Sequence, residues 1–155
     1  MDSPFNFQAL SAGDLALLDA VDPRLAEPRR RETVSEQLAL NLSWAALGPY
    51  GTPLGFAIVS RHFYAYPFVD LLVVSEAHRR GGVGLALMDH CEASHTADRI
   101  FTSTSESNAP MRHLLAKAEW RVSGVIENLD PGDPELVFVK FRGDTPQYAT
   151  GVEAR

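Results

Sequence analysis

The spacing of apolar positions changes several times along this chain, and each change marks an element. Phe5–Leu10 (FNFQAL) reads as a first strand. Ser11-x-x-Asp14 then forms a capping signal ahead of Leu15, Leu18 and Val21, which predicts a short helix closed by Asp22-Pro23. Arg24–Arg31 is polar and contains Pro28, as a loop or helix start would. Val34, Leu38 and Leu42 fall four apart, a helical stripe. Leu42–Leu47 predicts a second strand, and the turn residues Gly48–Pro53 lead into a returning strand over Leu54–Tyr64. Pro67 is expected to break that strand, with Phe68–Val74 as the next one.

A helical period follows. Val83, Leu87 and Cys91 lie at i, i+4 and i+8 beside Met88, predicting a helix to about His95 with Cys91 on its buried stripe. Arg99–Ser103 reads as a short strand. Ser107-Asn108-Ala109-Pro110 opens a helix whose apolar face is Met111, Leu114, Leu115 and Ala118. Trp120–Leu129 and Glu135–Phe141 read as a hairpin about the turn Asp130–Pro134. The order is β-α-α-β-β-β-α-β-α-β-β, an α/β (α+β) domain over residues 1–141, followed by a polar tail over 142–155.

Composition narrows the class. A chain of 155 residues with 45% apolar and 22% charged residues suits one globular domain. No apolar run approaches membrane-spanning length, and MDSPFNFQAL lacks the basic and apolar segments of a signal peptide. One cysteine, Cys91, excludes an internal disulfide and a multi-cysteine zinc site, and a reducing cytoplasmic setting is the default expectation. The five histidines show no metal-ligand spacing. The net charge of −6 disfavours nucleic acid as a partner and suits a cationic, amine-bearing one.

The chemistry concentrates in Leu71–Leu87, LLVVSEAHRRGGVGLAL. An apolar strand ends at Val74, a polar turn covers Ser75–His78, and glycines precede a helix. Glycine lets the backbone approach a ligand closely, and the first N–H groups of a helix attract phosphate. A P-loop would need Lys-Ser or Lys-Thr after its last glycine, where Leu85 stands here. A dinucleotide fingerprint would need a third glycine at Leu87. What fits is Arg79-x-x-Gly82-x-Gly84 directly after a strand. This resembles the pyrophosphate-binding motif of the GNAT acetyltransferases, which grip coenzyme A. A second match comes from Asn108, Leu114, Leu115, Lys117, Ala118, Glu119 and Trp120, which fill the family's frame of Asn, an apolar pair and Lys-x-Gly-Phe. Glu119 replaces the usual Gly and Trp120 the usual Phe. With the element order, the resemblance spans Phe5 to Phe141.

The resemblance implies a GNAT fold, a mixed and mostly antiparallel sheet of about seven strands with four helices. It implies acetyl transfer from acetyl-CoA to an amine of a small molecule or peptide, and dimers are common in the family. Carried onto this sequence, Arg79, Arg80, Gly81, Gly82, Val83 and Gly84 would hold the pyrophosphate, with Asn108 also at the cofactor. Leu72, Val73 and Val74 would line the pantetheine arm, and the Val74 N–H would face the oxyanion. Asp70 stands in an otherwise apolar strand; alternation would put it on one face with Phe68, Leu72 and Val74, partly desolvated and suited to act as base. Glu106 is the second carboxylate candidate. The family's usual proton-donating tyrosine falls at Leu115, so Tyr64, Tyr66 or solvent would have to protonate the leaving thiolate. Without a donor, a non-catalytic acetyl-CoA-binding role is the alternative.

Overall fold

Strong β formers dominate Leu54–Ser60, and the strand they form is buried on both faces, as a central strand must be. Phe56 and Ile58 point one way, into a core with Leu18, Leu25, Val34 and Leu38. Ala57 and Val59 point the other way, against Leu87, Met88, Cys91, Leu115, Trp120 and Phe138. The computed structural model describes residues 3–143, so the tail expected over 142–155 lies almost wholly outside the described residues. Seven strands form its sheet: β1 (Asn6–Leu10), β2 (Leu42–Leu47), β3 (Pro53–Phe63), β4 (Tyr66–Val74), β5 (Arg99–Ser105), β6 (Arg121–Ile126) and β7 (Glu135–Phe141). They lie in the order β1-β2-β3-β4-β5-β7-β6, and every neighbouring pair is antiparallel except β4 with β5.

The four principal helical segments are a 3-10 stretch at Ala12–Ala20 and the α-helices α1 (Pro28–Leu40), α2 (Val83–Ala93) and α3 (Ala109–Lys117). The mixed, mostly antiparallel seven-stranded sheet and the element order are those implied by the sequence. The first helix is wound as a 3-10 helix, opened by the Asp14 carboxylate accepting from the Ser11 N–H at 2.8 Å. The arginine run is less solvated than its composition suggests. Arg30 donates to the buried Asp22 through Nη2 at 2.8 Å, and Arg31 pairs with Asp19, tying α1 to the chain before it. Leu42 leaves the helical stripe, because α1 ends at Leu40 and Leu42 begins β2.

Pro67 does not break a strand. The reversal occurs at Tyr64 and Ala65, both left-handed (φ 53° and 64°), and Pro67 lies buried within β4. The β3–β4 register is irregular between Ser60 and Phe63, so the missing N–H of Pro67 falls where the ladder is already interrupted. The strand expected over Trp120–Leu129 is shortened to Arg121–Ile126, since Trp120 turns into the core.

That turn of Trp120 depends on how α3 ends. Glu119 is left-handed (φ 63°). The Glu119 N–H donates to Ala116 O at 3.1 Å and the Trp120 N–H to Leu115 O at 2.9 Å, the bond pattern of a Schellman motif. A glutamate thus holds the backbone conformation that glycine adopts without Cβ strain. Glu119→Gly is expected to stabilise the fold by about 1 kcal/mol, read as a rise in melting temperature; an unchanged or lower value would show that the left-handed turn carries no strain.

Candidate active site

β4 and β5 are in register at two pairs only, Phe68 with Phe101 and Val69 with Thr102. The Thr102 hydroxyl donates to the Val69 carbonyl at 2.9 Å in a buried contact that closes this junction. Past it, β4 stays with β3 while β5 stays with β7, so a wedge opens between them. The cause is a bulge. Ile58 pairs with Leu71 and Val59 with Val69, which leaves Asp70 without a partner across the strands. Bulges bend a strand and increase its twist, and this one re-aims the rest of β4.

The bulge also corrects the simple alternation. Val69, Leu72 and Val74 face the α2 side of the sheet, whereas Leu71 and Val73 face the α1 side. Asp70 is extruded from that pattern. It is exposed rather than desolvated, and its carboxylate makes no hydrogen bond or ion pair with another described residue.

Backbone directions along the open edge follow from two observations. The Ser75 N–H donates across to Leu54 O at 2.9 Å, and the Val73 carbonyl lies 2.8 Å from where a Cβ on Gly55 would sit. Ser75 and Val73 are therefore directed toward β3. Strand alternation turns the N–H groups of Leu72 and Val74 the other way, into the wedge. Val73, included among the ligand contacts by sequence, gives its peptide groups to β3 and its side chain to the α1-side core.

The mouth of the wedge is the turn between β4 and α2. The Ser75 hydroxyl and His78 Nδ1 are 3.0 Å apart, and the His78 N–H donates to Ser75 O, fixing a short 3-10 turn. Arg80 (φ 65°) and Gly82 (φ 84°) are left-handed, and Gly82 caps α2 without a side chain. Among the described residues no group accepts from the N–H groups of Arg80 through Leu85. These donors and the positive end of the helix dipole form a corner suited to an anion, flanked by the exposed Arg79 and Arg80. Gly84 is needed for a different reason. A Cβ there would stand 2.8 Å from Leu114 Cδ1 and 3.5 Å from Val74 Cγ2, so its absence lets α2 press onto α3 and β4.

The other residues singled out by sequence are dispersed. Glu106 is exposed at the β5 end of the wedge, its N–H bonded to Pro134 O at 2.8 Å and its carbonyl to Arg112. Asn108 caps α3, with Oδ1 accepting from the Met111 N–H at 3.2 Å, which commits half of its amide. Tyr64 is 83% exposed in the β3–β4 hairpin. Roughly 20 Å of strand separates neighbouring Tyr66 from Leu72, so Tyr64 lies far along β4 from Leu72 and Val74. Leu115 is fully buried in the core and presents no proton donor. Cys91 is buried, and desolvation pushes its thiol up to about 12, which leaves it inert. The sequence reading missed Asp133, whose carboxylate accepts from both the N–H and hydroxyl of Ser107, pinning the β6–β7 turn to the start of α3. Its only sequence signal is a turn-rich DPGDP segment, which says nothing of its partner.

A profile of the acetyltransferase (GNAT) family matches residues 14–120, a span holding both the strand-turn-helix corner and the α3 frame. The chain belongs to this family. Among curated proteins none matches it. A GNAT-family acetyltransferase of Bacillus cereus is 26% identical, with 90% of this chain and 99% of that one covered at a TM-score of 0.80. The ribosomal-protein-S18-alanine N-acetyltransferase of Escherichia coli shares the fold at 18% identity, with 93% and 99% covered and a TM-score of 0.72. A GNAT acetyltransferase of Elizabethkingia anophelis, solved with acetyl-CoA bound, matches at 14% identity, with 91% and 100% covered and a TM-score of 0.71.

The two GNAT-motif glycines should fail differently. Gly82→Ala meets nothing within 4 Å and pays for left-handed strain alone, about 1 kcal/mol. Gly84→Val must displace the Leu114 side chain and crowd Val74 and Leu72 as well, and should cost more, about 1–3 kcal/mol. Urea unfolding of both variants checks the order, and equal losses would contradict it.

Proposed function

We propose that this protein transfers the acetyl group of acetyl-CoA to a primary amine of a small molecule or peptide, by direct attack of the amine on the thioester. The observation that carries this reading is the unpaired edge of β4 running straight into a turn of free N–H donors. The N–H groups of Arg80 to Gly84 bind the pyrophosphate, with Arg79 and Arg80 adding charge. The pantetheine arm has amides of its own and pairs with Leu72 and Val74 as an added strand would. The bound Elizabethkingia relative supports acetyl-CoA as the molecule that fills such a wedge.

In the reaction, the amine nitrogen bonds to the thioester carbon, the carbonyl becomes an oxyanion, the nitrogen gives its surplus proton to solvent, and the carbon–sulfur bond then breaks as the carbonyl re-forms, releasing CoA. The Val74 N–H is the oxyanion donor, already fixed by the β3–β4 ladder, so it needs no reorganisation. The acceptor arrives as an ammonium and must lose a proton first. Asp70, beside the junction and unneutralised by any described neighbour, attracts that cation and takes its proton directly or through water. Glu106 offers a second carboxylate at the other side of the wedge. Solvent protonates the thiolate, because Leu115 is apolar and Tyr64 is remote.

The same lack of a protein acid motivates the other reading, an acetyl-CoA-binding module without turnover. Release of free thiol from acetyl-CoA across a panel of amines separates the two: amine-dependent release supports the enzyme, and binding without release under every amine supports the module.

Two outcomes are expected. Acetyl-CoA at about a hundred times its Kd should stabilise the fold by about 2.7 kcal/mol, read as a higher melting temperature, and no shift at millimolar concentration would remove the cofactor from the account. Asp70→Asn should retain that thermal shift and lower turnover by roughly 10²–10⁴. Turnover unchanged across the pH range would take Asp70 out of the mechanism.

A further inference from the structure

A second cavity lies at the other end of β3 from the wedge. Six residues separate Gly55, beside Val74, from Arg61 in its wall, roughly 20 Å along the strand. The cavity has a volume of about 410 Å³. Asn41, Arg61, His62 and His95 supply its polar wall, and Leu40, Leu42 and Val59 its apolar wall. No carboxylate is among the lining residues, although the protein carries a net charge of −6. Arg61 has no ion-pair partner among the described residues. His95 Nε2 is buried without a hydrogen-bond partner. Leu40 is 78% exposed and Leu42 40%, so the apolar wall is open to an incoming molecule. One unpaired guanidinium with two imidazoles, beside an uncovered apolar wall, supplies the recognition elements of a small amphiphilic anion.

We propose that this cavity is a second ligand site, taking a small organic anion that carries a carboxylate or phosphate on a short apolar body. The anion pairs with Arg61, His62 stands beside its head group, and the apolar body covers Leu40 and Leu42. The site is independent of the acetyl-transfer reading, since it shares no residue with the wedge.

His95 reports occupancy. Burial holds its imidazole below the ordinary histidine range, and the charges of Arg61 and Arg142 push it further down. The nearby acids on α2 and after it are already engaged: Glu92 pairs with Lys140, and Asp98 with Arg99. An anion on Arg61 would offset the repulsion and raise the proton affinity of His95. The experiment follows the His95 imidazole by NMR through a pH titration of the full chain, with hexanoate, hexyl phosphate, inorganic phosphate or hexanol added. Hexanoate or hexyl phosphate is expected to raise the proton affinity of His95 roughly tenfold, and whichever acts more strongly identifies the head group. Arg61→Gln should abolish the response and Arg61→Lys should retain part of it; Arg61 is exposed at a strand end, so both variants should fold. The proposal is overturned by no response to either organic anion, by an equal response to inorganic phosphate or hexanol, by a response that survives Arg61→Gln, or by displacement of the probe by acetyl-CoA.

Discussion

One extra residue in β4 governs the architecture. With Asp70 extruded, β4 cannot follow both β3 and β5, and it keeps β3. The open edge, the inward N–H groups of Leu72 and Val74, and the placement of the α2 N-terminus at the mouth all follow from that choice. A regular strand of the same composition would have zipped to β5 along its length and left no edge for a ligand to pair with. The glycines then complete the corner: one supplies a left-handed turn, and the other lets α2 lie against Leu114.

Local signals made much of this legible. Leu42–Leu47 and Glu135–Phe141 were delimited by their β formers and flanking turn residues, and the α2 stripe of Val83, Leu87 and Cys91 is buried as its period requires. The strand-turn-helix corner was readable because its glycines and arginines are consecutive. What escaped depends on partners distant in sequence. Whether Asp70 faces a core or solvent is decided by its register against Ile58 and Val59, and alternation alone gave the wrong face. Pro67 looked like a breaker because the neighbouring interruption in β3 is invisible from β4. Tyr64 and Tyr66 stand only eight and six residues before Leu72 in sequence, yet the extended β4 turns that interval into a large separation.

The distribution of acids and donors bears on chemistry more than any single residue does. Carboxylates stand at both sides of the wedge, Asp70 at its junction and Glu106 at its rim, while the hydroxyls of Ser75 and Ser107 are occupied by His78 and Asp133. Such a site favours proton removal from a cation over proton donation to an anion. Cys91, a few residues from the GNAT motif in sequence, is insulated from both by burial.

The brevity of the β4–β5 contact also has a mechanical side. Two blocks, β1–β4 and β5–β7–β6, meet through two residue pairs and are otherwise bridged by the side chains of α2 and α3. With so few rungs, small rotations about Phe68 and Val69 would widen or narrow the wedge without breaking either block's own ladder. Flexing therefore costs side-chain repacking rather than backbone hydrogen bonds, which are the stiffer element of a sheet. One core cluster, with Val59 and Val69 on one side and Ile100 and Phe138 on the other, spans this seam, so packing rather than strand pairing holds the two blocks together.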